Sequence, residues 1–213
     1  MTIAIDMGKN NSDVGKFRNH GFSLVEVLMV TLIIIVLAAI GIPSLMSMVR
    51  GLRTGGDARD LNGLIIQAKM RAASNFSRTR VYADLSANTF RIETQPSGTT
   101  SWTTDCPSGC NQSLSSGVSF GYGSLSSPPA NTQATLGQAT ACQDSTNNAI
   151  ANTACIIFNS RGIPITPGTV STPTGEDAVY VTDGKSVTGV TISITGLSRV
   201  WRSDASAANW RQQ

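Results

Sequence analysis

Residues 16–43 read KFRNHGFSLVEVLMVTLIIIVLAAIGIP, and the rest of the chain is best interpreted from this stretch. A short basic segment ends at Gly21, and an apolar run extends from Phe22 to Ile42. About 20 apolar residues, each rising 1.5 Å along a helix, span the hydrocarbon core of a bilayer. One carboxylate, Glu26, lies inside the run. Because a charge in a membrane span costs free energy, Glu26 indicates a function.

An ordinary secretory signal or a plain membrane anchor is the alternative interpretation. A secretory signal has an apolar core of about 7–15 residues, and small residues follow it at the cleavage site. Here the apolar run is longer, and the small residue Gly21 precedes it. The change from polar to apolar sequence occurs at once between Gly21 and Phe22. This arrangement argues against a secretory signal.

The string G-F-S-L-V-E at residues 21–26, followed by an apolar run, resembles the class III signal of type IV pilins and of type II secretion pseudopilins. The resemblance implies that residues 1–21 are a prepilin leader and residues 22–42 the transmembrane half of an N-terminal helix. It implies a prepilin peptidase that cuts after Gly21 and a methylated amine on Phe22. Glu26 would then neutralise the Phe22 amine of a neighbouring subunit, since an unpaired charge in a dry setting is costly.

The same resemblance implies a cellular location and a set of partners. The chain would cross the bacterial inner membrane once, with a cytoplasmic N-terminus and a periplasmic C-terminal domain, or lie at the pilus tip on the cell surface. Its partners would be other pilin or pseudopilin subunits. The formal net charge of +3 is too small to indicate a nucleic-acid partner by itself.

Residues 43–77 are predicted to be a kinked, weak segment followed by the amphipathic second half of the helix. Pro43 removes a helix hydrogen bond and predicts a helix kink at a depth where pilins often have a proline. A loop over 43–56 is the alternative, since three glycines disfavour a helix there. Asp57 and Asp60 are interpreted as a solvated first turn of the second piece. Five residues at helical spacing predict its buried stripe: Leu61, Leu64, Ile65, Ala68 and Ala72.

Residues 78–213 are predicted to be a globular β-rich domain. Apolar alternation predicts strands at 80–85, 89–94, 118–122, 155–158, 178–182 and 190–195, with turns at 86–88 and 183–184. Residues 96–153, rich in Ser, Thr, Gly and Pro, are interpreted as a loop-rich insertion. The predicted fold class is therefore α+β, with the long N-terminal helix packed on an antiparallel β-sheet. The resemblance to pilins implies the same arrangement.

Two further elements narrow the resemblance. The string F-N-S-R-G at 158–162, and T-I-S-I-T-G-L-S-R at 191–199 with its closing glycine, are similar to the GspH/FimT class of minor pilins and minor pseudopilins. This resemblance implies a structural subunit that acts in assembly or initiation at the filament tip of a type IV pilus or a secretion pseudopilus. A major pilin is the rival within the family. The similarity does not extend to 96–153.

Four cysteines lie in the domain that this topology exports: Cys106, Cys110, Cys142 and Cys155. An even number of cysteines in an oxidising compartment predicts disulfides. The simplest of the three pairings is Cys106–Cys110 with Cys142–Cys155, because each bond closes one loop. A zinc site is the alternative, but its usual C-x2-C spacing is missing.

The residues do not indicate an enzyme. The single histidine, His20, lies in the leader, so the processed chain would have no imidazole for nucleophilic catalysis or metal binding. A phosphate-binding loop and a dinucleotide fingerprint are absent from the sequence. We therefore expect no catalytic residues, no metal and no cofactor.

The C-terminus is the candidate binding surface, since Arg199, Trp201, Arg202 and Arg211 combine phosphate-binding and base-stacking side chains. FimT-like pilins associated with DNA uptake close on Gly-Arg-x-Arg. This chain has a wider spacing, from Gly196 to Arg199 and Arg202. The preferred interpretation is a last strand with Val200 and Trp201 on the sheet, solvated arginines and a frayed tail. The alternative function is a DNA receptor for natural transformation or a tip adhesin.

Overall fold

The computed structural model describes residues 22–104 and 110–213, so Gly21 and Cys106 lie outside the described residues. The described chain begins with one helix, α1, at Leu24–Ser74. Ser23 precedes the helix, and its carbonyl accepts a hydrogen bond from the Val27 amide. Serine is among the preferred residues at a helix N-cap. The chain divides after Ser44 into two compact units.

The first unit contains the apolar part of α1. Residues Leu24–Ile42 have a mean hydropathy of 2.9, and none of this window is buried inside the structure. Nineteen residues at 1.5 Å each give about 28 Å of helix, close to the thickness of a bilayer core. By length and composition this segment can cross a membrane, as a membrane anchor or as a signal sequence.

Helix α1 is continuous through Pro43 and the three glycines at 51, 55 and 56, so the alternative of a loop at 43–56 is wrong. Each glycine destabilises a helix by only about 1 kcal/mol, and packing against the rest of the domain offsets that cost. That packing already begins at Thr54, which is fully buried. The kink at Pro43 stays a prediction.

The predicted solvated first turn at Asp57 and Asp60 is also wrong, because the helix begins 33 residues earlier, at Leu24. Asp57 is buried, and its carboxylate accepts hydrogen bonds from the amide and hydroxyl of Ser115 at 3.0 and 2.7 Å. Asp57 thus attaches residues of the insertion to the helix. Asp60 is exposed.

Within the described residues, ten strands follow the helix and form two five-stranded antiparallel sheets. The first sheet has the order β3-β2-β1-β5-β6 and the second the order β10-β9-β8-β7-β4. The strands are β1 Arg78–Asp84, β2 Thr89–Gln95, β3 Gln112–Ser113, β4 Ser119–Phe120, β5 Thr153–Phe158, β6 Pro164–Ile165, β7 Ala178–Thr182, β8 Ser186–Ile192, β9 Ser198–Asp204 and β10 Ala207–Gln212.

The predicted α+β class is confirmed, but the single predicted sheet is in fact two. The predicted hairpin of β1 and β2 is present, with Asn88 in the left-handed conformation at its turn. The expected strand at 118–122 is reduced to β4, and the expected strand at 190–195 lies instead at 186–192. Local alternation identifies strands, but it does not specify which distant strands share a sheet.

One apolar core joins the helix to both sheets. The predicted helix stripe is buried in it, with Leu61, Ala68 and Ala72 fully inaccessible. Val81 and Phe158 from the first sheet lie in the same cluster as Val179 and Val190 from the second. The three layers therefore support each other around this shared core, and neither sheet is an independent module.

The insertion at 96–153 is mostly loop, as predicted, and its two short strands extend one sheet each. Strand β3 pairs with β2, and β4 pairs with β7. A β-bridge between Thr94 and Thr103 attaches the insertion at a further point, and so does the buried Cys142. The described part of the insertion is thus integrated into the fold.

Candidate functional site

The predicted processing and assembly residues lie at the start of α1. Phe22 is 81% exposed, and Glu26 is exposed in the first turn of the helix. A carboxylate in a first helical turn interacts favourably with the positive end of the helix dipole. Gly21 lies outside the described residues, so cleavage between Gly21 and Phe22 stays a prediction.

The predicted C-terminal surface lies on a hairpin of β9 and β10 at the edge of the second sheet. Val200 packs against the core, as expected, and the indole N–H of the half-buried Trp201 donates a 2.9 Å hydrogen bond to Thr191. The expected frayed tail is wrong, because β10 extends to Gln212 and pairs with β9. Sequence reasoning missed this strand because it has little apolar alternation.

The pleat separates the predicted DNA-binding residues. Arg202 and Arg211 are direct partners and lie on the face toward α1, where Nη2 of Arg202 would be 3.0 Å from a Cβ added at Gly51. Arg199 and Trp201, at odd positions of the same strand, lie on the opposite face. Of the predicted DNA-binding residues, the structure therefore brings together only Arg202 and Arg211.

Trp210 holds the tail in place on that opposite face. Its ring centroid is 5.6 Å from that of Tyr180, and its indole N–H donates to the carbonyl of Ser127 at 2.8 Å. Burial raises the pKa of the Tyr180 phenol, whose hydroxyl donates to Gln133 at 2.7 Å. Trp210 is thus part of a packed cluster, which limits its use as a stacking platform.

A buried ionic cluster on the first sheet was missed in the sequence analysis. Arg80 is only 4% exposed, and its Nε and Nη2 donate to Oε2 of Glu93 at 2.6 and 2.5 Å. Arg91 donates to Oε1 of the same carboxylate at 2.8 and 2.7 Å. Each arginine thus uses two nitrogens on one oxygen of the shared carboxylate, and charge-assisted hydrogen bonds of this kind are short.

Further contacts complete the environment of Arg80. Its Nη1 donates to the carbonyl of Gln143 at 2.7 Å, and its guanidinium lies 4.1 Å from the centre of the Trp102 ring. Burial lowers the pKa of Arg80 below its ordinary value, and the charge of Glu93 opposes that shift. The cluster connects Trp102 and Gln143 of the insertion to strand β1.

A cleft of about 510 Å³ lies beside this cluster. The turn between α1 and β1, the loop after β2, the insertion near Gln143, the end of β5 and the loop after β6 enclose it, and Arg80 and Trp102 form part of its wall. Small-molecule sites are usually apolar clefts of about 300–1,000 Å³. This cleft has a suitable size, but hydroxyl and amide side chains form most of its lining.

The cysteines agree with the predicted pairing where both partners are described. Cys142 and Cys155 form a disulfide that joins the end of the insertion to β5, and both are fully buried. Cys110 is also disulfide-bonded. Its predicted partner, Cys106, lies outside the described residues, so that pair stays a prediction. Within 22–104 and 110–213, no three His, Cys, Asp or Glu side chains are grouped to hold a metal.

Comparison with known proteins identifies no relative: no family profile, no curated protein and no solved structure matches this chain. The class that the described residues define is therefore a structural one. The chain is an α+β protein with an exposed N-terminal apolar helix and two antiparallel sheets.

Proposed function

We propose that this chain is a minor pilin or minor pseudopilin of the GspH/FimT type. It acts as a structural subunit in the assembly or initiation of a type IV pilus or a type II secretion pseudopilus, at the filament tip. The observation that carries the proposal is the apolar helix Leu24–Ile42, unburied along its whole window, with the carboxylate Glu26 near its start.

The physical argument concerns what covers that helix. An apolar surface of this extent is unfavourable in water, so lipid or the helices of other subunits must surround it. A carboxylate in such surroundings is costly unless it has a partner. The free amine of Phe22 in a neighbouring subunit is a partner of opposite charge. This pairing favours addition of subunits in one register.

The proposal assigns a role to each residue of the N-terminal segment. A prepilin peptidase cuts after Gly21, whose missing side chain leaves the peptide bond accessible, and Phe22 becomes the methylated N-terminus. The chain is inserted once in the inner membrane, with its C-terminal domain in the periplasm. The oxidising compartment is consistent with the disulfide between Cys142 and Cys155.

The proposal predicts the mature N-terminus of the protein. Intact-mass and peptide mass spectrometry of protein from native membranes should show a chain that starts at methylated Phe22. Deleting the prepilin peptidase of the same host should leave residues 1–21 attached, which provides the control. A mature chain that starts beyond Ile42 would identify a secretory signal and refute the pilin proposal.

A further inference from the structure

The turn that follows α1 contains a residue with an unusual backbone conformation. Phe76 has φ of 49°, in the left-handed region, and the Ser77 amide donates back to the carbonyl of Ala72 at 3.2 Å. This is the turn that commonly ends a helix, and its left-handed position favours glycine because a Cβ is strained there. A bulky residue in this conformation is a true outlier.

Burial does not explain the phenylalanine either. Its side chain is 78% exposed, although α1 ends on a domain with a well-packed core. Glycine or asparagine would suit the backbone better, and a polar residue would suit the solvent better. Local strain that structure does not require indicates a functional constraint. The Phe76 ring borders the cleft of about 510 Å³ beside Arg80.

A second aromatic ring borders the same cleft. Trp102 comes from the insertion, and the guanidinium of Arg80 lies 4.1 Å from its ring centre. Glu93 and the Gln143 carbonyl bind that guanidinium and fix its position. The contact with Arg80 therefore holds the Trp102 ring in place. The cleft therefore combines one solvent-exposed ring, at the end of a helix, with one ring that is rigidly supported.

The remaining lining defines the chemistry of a ligand. Among the described residues, the charged side chains of the cleft are Arg78, Arg80 and Asp144, and Arg80 is paired with Glu93, which also binds Arg91. Most other lining side chains are neutral donors and acceptors, among them Ser97, Thr99, Thr100, Asn147, Thr169 and Ser171. Many neutral hydrogen-bonding groups beside aromatic rings match a ligand with many hydroxyls and apolar C–H faces.

We propose that this cleft binds an uncharged carbohydrate, with Phe76 as the exposed ring on which a sugar face stacks. Hydroxyl and amide side chains of the loops hydrogen-bond to the sugar, and Trp102 forms the rigid wall. A nucleic acid or an anionic glycan requires a basic surface, and the lining offers little net charge. A peptide strand requires an exposed sheet edge or an apolar groove, and this cleft is a polar hollow between loops.

The test uses the full chain in detergent micelles and an array of short neutral gluco-, galacto- and manno-oligosaccharides. Titration calorimetry then measures the affinity of the best oligosaccharide. Phe76→Gly should weaken binding about three- to tenfold, the effect of losing one stacking contact. The unfolding midpoint should change little, because glycine suits the left-handed backbone.

Two further variants keep the result interpretable. Phe76→Trp retains a ring and should bind nearly as well as the original chain. Leu197→Ala removes an apolar side chain that is 54% exposed and does not border the cleft, and it should leave the affinity unchanged. No binding to any neutral oligosaccharide overturns the proposal, and so does equal affinity of the Phe76→Gly variant. Retention only of anionic glycans or duplex DNA also overturns it.

Discussion

At the scale of single residues, the chain contains ionisable groups in three kinds of surroundings. Glu26 lies on an exposed apolar helix, Arg80 is paired with Glu93 inside the domain, and Asp177 is buried beside Glu176. Charges outside water persist where they are paired, and where they are unpaired their protonation changes. We therefore predict that Glu26 requires a partner of opposite charge and that Asp177 is protonated in the folded protein.

Glu26→Gln removes the carboxylate and keeps the size of the side chain. The variant should still insert in the membrane, because glutamine costs less in lipid than a charge. It should join the filament complex poorly, since the Phe22 amine of a neighbour loses its partner. Cross-linking of the variant to other subunits in native membranes measures the effect. Glu26→Asp, which keeps the charge, is the control, and cross-linking of Glu26→Gln at the original level would contradict the role.

Asp177 predicts a dependence of stability on pH. Burial, with a smaller effect of Glu176, raises the pKa of this carboxyl to about 7, whereas unfolded aspartate has a pKa of about 3.9. The fold therefore favours the protonated form. The contribution of protonated Asp177 to the free energy of unfolding is complete below about pH 4. It is lost as the pH rises to about 7, and the loss is up to about 4 kcal/mol.

Asp177→Asn, which resembles the protonated form, should remove this dependence and stabilise the protein above pH 7. Chemical denaturation of the full chain in detergent between pH 4.5 and 8 provides the measurement. Glu176→Gln is the matched control, and it should reduce the pH dependence only slightly. A free energy of unfolding that rises across this range in the original chain would show that Asp177 is not protonated in the fold.

At the scale of elements, the C-terminal hairpin and the insertion depend most on tertiary context. The hairpin places Arg202 and Arg211 on one face and Arg199 on the other. The insertion is attached through Asp57, Arg80 and the disulfide of Cys142. Each element can therefore be tested by variants that differ in position but not in chemistry.

The hairpin prediction concerns DNA. If the tail is a receptor surface, we expect weak binding to duplex DNA at low salt, because the formal charge of the chain is only +3. Replacing Arg202 and Arg211 together with glutamine should lower the salt slope by about two, and Arg199→Gln by at most about one. Titration of the full chain in detergent with duplex DNA is the measurement.

The outcome distinguishes three cases. Loss of binding in the Arg202 and Arg211 variant alone would assign DNA binding to the face toward α1. An equal loss in Arg199→Gln would show that the two faces contribute to one site, against the register of β9 and β10. Failure to bind at low salt would remove the receptor hypothesis.

The insertion prediction concerns its disulfides. Non-reducing peptide mapping should recover Cys106–Cys110 and Cys142–Cys155. Cys142→Ser should lower the free energy of unfolding by about 3 kcal/mol, since the bond closes a short loop. Cys110→Ser, in a more exposed loop, should cost less and provides the comparison. Free thiols or stoichiometric zinc in the purified protein would contradict the pairing.

At the scale of the whole molecule, the domain at 45–213 is organised around one core that the helix shares with both sheets. Among the described strands, the chain passes between the two sheets from β3 to β4, from β4 to β5 and from β6 to β7. The short strands β3 and β4 widen both sheets from within the insertion. The insertion, whose composition is typical of a loop, therefore contributes one strand to each sheet. Removing it would expose apolar surface on both sheets.

Most of the candidate site could not be read from the chain. The predicted hairpin has its turn at Ser86–Asn88, and a shift of one residue in its register decides whether Arg80 lies opposite Glu93 or opposite Thr94. The structure pairs Arg80 with Glu93. The cleft depends on five separate segments of the sequence, and the strained Phe76 carries no pattern that marks it. Sequence periodicity is a local property, whereas these features arise from contacts over long separations.

The sequence by itself determined the apolar span, the buried stripe of α1, the positions of β1, β2, β5 and β7, and the α+β class. Each depends on a run or an alternation of apolar residues over a few turns or strand residues, which burial imposes directly. The tertiary structure alone decided that the strands form two sheets, that β10 pairs with β9, and that Arg211 lies beside Arg202. These outcomes depend on which distant surfaces exclude water together, and local spacing does not encode that choice.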